Sequence, residues 1–137
     1  MMEIEIAVDG DVLPRYWADG ILIGSATGST AYSLSIGGPI VTPDSRVLII
    51  APVAPHNLNI RPLIIPDSSR IEILFRSRQR TGRLTADNRS FDLPQGERIT
   101  ISKAAFDLDC VSVNNNFIEA LHQKLLWGED RRNTPRS

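Results

Sequence analysis

From its first residues the chain alternates. Glu3-Ile4-Glu5-Ile6-Ala7-Val8 sets isoleucines on one face and glutamates on the other, the period-two pattern of a strand with one buried side. Asp9-Gly10 follows and Asp11-Val12-Leu13 resumes, so a hairpin is predicted with Asp9-Gly10 as its turn. Ile21-Leu22-Ile23 reads as a short buried strand, and Val47-Leu48-Ile49-Ile50, the most apolar run, as a central one. Pro52, Pro55, Pro62 and Pro66 then punctuate an extended stretch that cannot be helical. Arg70 to Ser77 alternates again, with Ile71, Ile73 and Phe75 on one face and Glu72 and Arg76 on the other. Further strands are expected over Arg83 to Ala86, Ser90 to Leu93, Arg98 to Ser102 and Leu108 to Val113, with turns at Asp87-Asn88 and Pro94-Gln95-Gly96.

Helical pattern is sparse. Ala31 to Ile36 suits a short helix ended by Gly37-Gly38-Pro39. The one long helix runs from Phe117 to Trp127, capped by Asn115 or Asn116 and stopped by Gly128. Many short strands, with turn signals about every eight to twelve residues, predict a mainly β, β-sandwich-like domain. There is no helix–strand alternation of doubly wound type. The domain is assigned to residues 1–128, with a polar tail over 129–137. On the last helix Phe117, Leu121 and Leu125 share one face, with Ile118 beside it. That stripe either caps the sandwich or lacks part of its partner in this chain.

Composition narrows the field. The 137 residues suit one domain, and 16 acids against 15 bases argue against non-specific binding to nucleic acid or membrane. Cys110 is the only cysteine, so no intrachain disulfide can form; a reducing cytoplasm is expected. No apolar run approaches the roughly 18 residues needed to span a bilayer, and no signal peptide opens the chain. Met1 and Met2 lead straight into a strand, which suggests an artificial or truncated start.

The chemistry-bearing stretch runs from Asp19 to Tyr32: strand, glycine–hydroxyl loop, short helix. Such a loop presents backbone N–H groups and hydroxyls that suit phosphates, ribose hydroxyls or base edges. Its glycines let a ligand approach the backbone closely. Familiar motifs fail here. No lysine follows Gly28, which excludes a Walker loop. The glycine spacing excludes a nucleophile elbow and the dinucleotide fingerprint of doubly wound folds. By composition alone, an ordinary Gly/Ser/Thr loop before a helix remains open.

The exact string says more. Asp19-Gly20, then Thr27-Gly28-Ser29-Thr30-Ala31-Tyr32-Ser33-Leu34-Ser35 and Gly37-Gly38-Pro39-Ile40, resembles the signature DG, TPTGSTAYSLS, GGPI of the NAD kinase family. Pro52-Val53-Ala54-Pro55-His56-Asn57-Leu58 and Arg61-Pro62-Leu63 resemble that family's P..PHSL..RPLV segment, and Asp87 the aspartate of its VDG turn. Leu125-Leu126-Trp127-Gly128 is similar to the closing helix of many members. The likeness runs from about Tyr16 to Gly128, several motifs in the right order. It departs in three ways. Ala26 stands where the family has proline, which should loosen the loop slightly. Asn88 stands where glycine is common, although Asn tolerates positive φ. The Gly-Gly-Asp-Gly and Asn-Glu motifs are absent; both belong to a preceding domain, and the first supplies the catalytic aspartate and the ATP phosphate cradle.

The resemblance implies a β-sandwich-like C-terminal domain that binds NAD within a dimer or tetramer. The whole enzyme would transfer the γ-phosphoryl of ATP, or of polyphosphate in some members, to the 2′-hydroxyl of the adenosine ribose of NAD, with Mg²⁺ offsetting phosphate charge. It also implies that Thr30, Ala31, Tyr32, Ser33, Leu34 and Ser35 line the NAD pocket and that Asp19 meets the nicotinamide end, often across a subunit boundary. Thr27 is a candidate donor; Trp17, Ala54, Asn88 and Arg89 are further candidate contacts. Thr30 and Ser35 can hydrogen-bond, and Tyr32 offers a ring face and a hydroxyl. Core packing is the plain alternative for Tyr32 and Leu34, as a turn is for Asp19. No catalytic residue is assigned to this chain, which is expected to be inactive alone, and no His/Cys/Asp cluster has metal-ligand spacing.

Other polar residues receive structural readings. His56 is expected to be a hydrogen-bonded structural histidine, His122 has no catalytic partners, and Asp107 and Asp109 flank a turn. Arg76, Arg78, Arg80 and Arg83 suggest a solvated basic hairpin tip; without interleaved aromatics beyond Phe75 a nucleic-acid role is disfavoured. The rival function is a β-sandwich that binds nucleotides or mediates assembly without chemistry, or a lipid-kinase relative.

Overall fold

The opening alternation becomes β1 (Met2–Val8), with Ile4 and Ile6 buried and Glu3 and Glu5 turned outward to Arg15 at 2.6 and 4.0 Å. Asp9-Gly10, with φ of 52° and 93°, turns the chain into β2 (Asp11–Val12), pairing Val8 with Asp11. Two successive positive φ values are the primed turn that Asp-Gly favours. Asp9 is anchored further: its Oδ1 accepts the Arg70 N–H at 2.8 Å, and its own N–H donates to the Arg70 carbonyl. The Arg70 N–H bond to the carboxylate, with one from the Ser69 side chain, holds the carboxyl below the usual carboxylate range.

The computed structural model describes residues 1–111 and 116–125. Among them β3 (Tyr16–Ala18) pairs with the first half of β1 and β7 (Ile71–Arg76) pairs along its other edge. With β10 (Ile99–Ile101) beside β7, this makes a five-stranded antiparallel sheet. A second sheet runs β4 (Gly20–Ser25), β5 (Val47–Val53), β6 (Leu63–Pro66), all antiparallel. The two sheets share one core: Ile4, Ile6, Tyr16, Ile71, Ile73 and Phe75 from the first, Ile50 and Ile65 from the second. Each such fully buried side chain stabilises the fold by about 1.5–3 kcal/mol relative to exposure. The mainly β, sandwich-like architecture is therefore as predicted.

Central β5 is buried on both faces: Ile50 enters the sandwich core while Ile49 and Ala51 alternate to the other side and are equally covered. Pro52 is tolerated within it because β6 begins only at Leu63, opposite Ile50, so Pro52 has no ladder partner on that edge. A separate ribbon, β8 (Thr81–Ala86) and β9 (Arg89–Pro94), pairs with neither sheet. Its turn puts Asp87, not Asn88, in the left-handed region, at φ 50°. Ribbon and sandwich are connected through Gly82: a Cβ there would come within 2.7 Å of the Phe75 ring, so the bare backbone lies on that ring.

The described residues from Phe106 onward form a second compact unit, distinct from Met1–Ala105. The strand expected over Leu108 to Val113 is not formed at residues 108–111, where Leu108 and Val111 are fully exposed. Alternation creates a strand only where a partner edge takes its N–H groups, and these residues have none. Residues 112–113 lie outside the described chain. The closing helix, α2 (Phe117–Leu125), is capped by Asn116, whose Oδ1 accepts the Glu119 N–H at 3.0 Å. Its apolar stripe is covered only in part: Leu121 is buried, Phe117 half-buried, Ile118 and Leu125 exposed. The expected extension to Trp127, its stop at Gly128 and the 129–137 tail lie outside the described residues.

Candidate functional site

The glycine–hydroxyl segment leaves β4 at Ser25, whose Oγ accepts the Gly28 N–H at 3.3 Å. Ala26 sits at φ −53°, the value a proline ring imposes, so the backbone keeps that geometry without the ring. Thr27–Thr30 makes one 3₁₀ turn, Ala31 breaks it at φ −97° and ψ −133°, and α1 (Tyr32–Ser35) adds a single helical turn. Gly37, at φ 85°, donates its N–H to Leu34, and Gly38 donates to the Ser33 carbonyl at 2.8 Å. Gly38 is confined to glycine by space: a Cβ would lie 2.2 Å from Ser33 Oγ and 2.7 Å from its carbonyl oxygen.

This short stretch sorts its side chains sharply. Thr27, Thr30, Ala31, Tyr32 and Ser35 are exposed, with Tyr32 at 59%. The packing alternative for Tyr32 is therefore not realised, whereas Leu34 is half-buried. Ser33 points inward, its Oγ buried and without a hydrogen-bond partner. Ser35 already donates its hydroxyl to the Tyr32 carbonyl at 2.7 Å and keeps acceptor capacity only. Ser29, which sequence reasoning passed over, is fully buried and bonded to Val41.

Asp19 stands exposed in the bend just before β4, its N–H donating to the Val53 carbonyl at 2.9 Å. Its carboxylate lies 3.2 Å from the Met1 ammonium. Just beyond, Ala54 adopts φ 47°, a conformation that costs a non-glycine residue about 1–2 kcal/mol. The strain lets the chain turn so that the His56 N–H reaches the Trp17 carbonyl at 2.8 Å. The His56 side chain is exposed, and the hydrogen bond expected of this residue is made by its backbone. Sequence alone could not distinguish the two, because a ring between prolines reads the same either way.

A groove of about 820 Å³ runs between β4 and the β8–β9 ribbon. Asp19 and Tyr32 line it on one side, Leu84 and Asp87 on the other, over an apolar floor that includes Ile73 and Phe75. A second groove of similar volume adjoins it at Asp19, Gly82 and Arg83, and is edged by His56 and Arg78. The basic tip is solvated as expected: Arg76, Arg78, Arg80 and Arg83 are all exposed, Arg78 and Arg83 border this groove, and Arg83 also reaches Asp92 at 3.2 Å. Of the candidate residues, Asp19 and Tyr32 come together on the main groove. Thr27, Thr30, Ala31, Ser33, Leu34, Ser35, Ala54 and Arg89 are not among its lining. The ribbon residues Gly82, Leu84 and Thr85 that complete it carried no signal in the sequence, since only folding brings them opposite β4.

Among the described residues no three His, Cys, Asp or Glu side chains gather as metal ligands, and no helix is long and apolar enough to cross a membrane.

Residues 1–113 match the family model for the ATP-NAD kinase C-terminal domain. The NAD kinase of Flavobacterium psychrophilum is 43% identical over 134 residues, covering 97% of this chain and 46% of that protein. The NAD kinase of Bacteroides fragilis is 41% identical over 133 residues, covering 96% and 46%. Among solved structures, yeast NADH kinase complexed with NADH aligns with a TM-score of 0.86 at 32% identity, covering 97% of this chain and 42% of that one. An NAD kinase from Archaeoglobus fulgidus in complex with ATP aligns with a TM-score of 0.70 at 31% identity, covering 77% and 41%. The chain spans about half the length of the curated relatives it matches.

Proposed function

We propose a function from one premise: this chain belongs to the NAD kinase family, as its C-terminal domain. The domain holds NAD while the full-length enzyme transfers the γ-phosphoryl of ATP, or of polyphosphate, to the 2′-hydroxyl of the adenosine ribose, giving NADP. The observation that carries the reading is the meeting of Asp19 and Tyr32 on one groove over an apolar floor. An exposed tyrosine ring beside a carboxylate suits a dinucleotide, whose base stacks and whose nicotinamide end is positively charged. Thr27 and Thr30 add exposed hydroxyls along the same segment, Ser35 an acceptor, and Ala31 a backbone a ligand can approach. Ala54 and Arg89 lie one and two positions along the chain from the lining residues Val53 and Asp87 and are proposed as further contacts, while Ser33 and Leu34 support the segment from within.

The chain's own contribution is binding and orientation, which can supply a large share of a rate. The general base and the ATP cradle belong to the other part of the enzyme. Mg²⁺ accompanies the phosphates, for which the described residues offer no ligand cluster. The enzyme works in the cytoplasm as a dimer or tetramer. Two measurements test the reading. The isolated chain should form no NADP with ATP and Mg²⁺, since a general base alone is worth about 10²–10⁴ in rate; turnover by the pure chain would sink it. In the full-length enzyme Tyr32→Ala should raise KM for NAD about tenfold, within the range of a lost stacking contact, and leave KM for ATP nearly unchanged. Equal effects on both substrates would refute a specific contact.

A further inference from the structure

The exposed segment Thr27–Ser35 is too short to hold its own shape. One 3₁₀ turn and one helical turn fall far below the length at which helices persist, and neither has a side-chain cap. Something else must fix the direction of Thr27, Thr30, Ala31 and Tyr32. Ser29, at their centre, has 0% exposure, and its hydroxyl is used twice on one residue twelve positions away. Oγ accepts the Val41 N–H at 3.0 Å and donates to the Val41 carbonyl at 3.1 Å. A hydroxyl has one proton to give, so this pairing leaves Ser29 no donor for a ligand, and its burial leaves no access.

We propose that Ser29 is a positioning residue for dinucleotide binding, acting through the segment it clasps to Val41. The proposal rests on the reading that this segment meets NAD. Without the hydroxyl, Val41 loses both backbone partners and the turn loses its tie to the chain leading into β5. The exposed residues on either side then sample other directions, so that binding must reorder them. The effect falls on affinity for the dinucleotide rather than on the chemical step, because Ser29 touches no reacting atom.

The test uses the full-length enzyme with Ser29→Ala, Ser29→Cys and Tyr32→Ala, measuring KM for NAD and for ATP, kcat and thermal stability. Ser29→Ala should raise KM for NAD about tenfold while kcat and KM for ATP stay within about twofold. Ser29→Cys keeps the volume with a weaker hydrogen-bonding group and should fall between. If Ser29→Ala does not fold, Ser29→Cys decides by the same criterion. A lowered melting temperature with KM for NAD unchanged in the Ser29 variants would overturn the proposal while Tyr32→Ala still raises it. If Tyr32→Ala also leaves KM for NAD unchanged, the binding reading falls and the proposal falls with it.

Discussion

The two walls of the main groove are held in different ways. On one side, Thr27–Ser35, which reaches the groove through Tyr32 alone, is tied down by buried contacts: Ser29 to Val41, and Gly38 pressed against Ser33. On the other, the β8–β9 ribbon joins no sheet and lies on the sandwich through Gly82 over Phe75 and the half-buried Leu93. Its Arg83–Asp92 pair is largely exposed, a kind of contact that contributes little. The turns differ in the same sense. Asp9 and Asp87 both open hairpins in the left-handed region, but only Asp9 is bonded to a neighbouring strand, at Arg70. A wall pinned by buried polar contacts resists small displacements, because any movement breaks bonds that water does not replace. A wall resting on a few apolar contacts can shift with modest loss.

The largest test of this contrast is Gly38→Ala. The added Cβ meets a buried hydroxyl and a backbone carbonyl, neither of which can move away cheaply. A loss of about 3 kcal/mol in chemical denaturation is expected, at the upper end of overpacking costs, together with loss of NAD binding. A neutral outcome would show that the clasped wall is softer than its contacts indicate.

Gly82→Ala should cost less, about 1–2 kcal/mol, because the ribbon can lift from the Phe75 ring. Hydrogen exchange should quicken in residues 81–94 and stay unchanged in residues 27–41. Phe75→Leu combined with Gly82→Ala should recover part of the loss by making room, which a double-mutant cycle measures. Additive losses would refute the direct contact.

The smallest expected effect separates the two turns. Ala at either position meets the same left-handed strain, so Asp9→Ala should destabilise more than Asp87→Ala by the bond to Arg70. Asp9 also carries a pH signature. Because its folded pKa is depressed, its contribution is present above the unfolded value and lost as pH falls through the folded one. Asp9→Asn should therefore flatten the decline in stability below about pH 4. An unchanged acid limb would remove Asp9 from that account.

Much of this molecule was legible before folding. Isoleucine alternation marked β1 and β7, the apolar run marked β5, and Asp9-Gly10 marked a hairpin, because each is a local pattern with a local cause. β3 escaped notice: three residues after Pro14 hold too short a period, and Tyr16–Ala18 becomes a strand only beside β1. Leu108–Val111 erred in the opposite direction, with pattern but no partner. The family strings around Asp19 and Tyr32 could be recognised as a segment, but not the groove they line, since its far wall comes from residues 82–87, far later in the chain.

By itself, then, the order of residues determined the periodic strands, the glycine-limited turns and the chemical character of the Thr27–Ser35 segment. Those depend on backbone sterics and side-chain alternation within a few residues. Tertiary structure alone decided that Ser29 turns inward to Val41 while Thr30 and Tyr32 face solvent, and that Gly82 seats a free ribbon on Phe75. In both cases the deciding contact joins residues that lie apart in the chain, and no local preference encodes which of several similar hydroxyls or glycines will find a partner there.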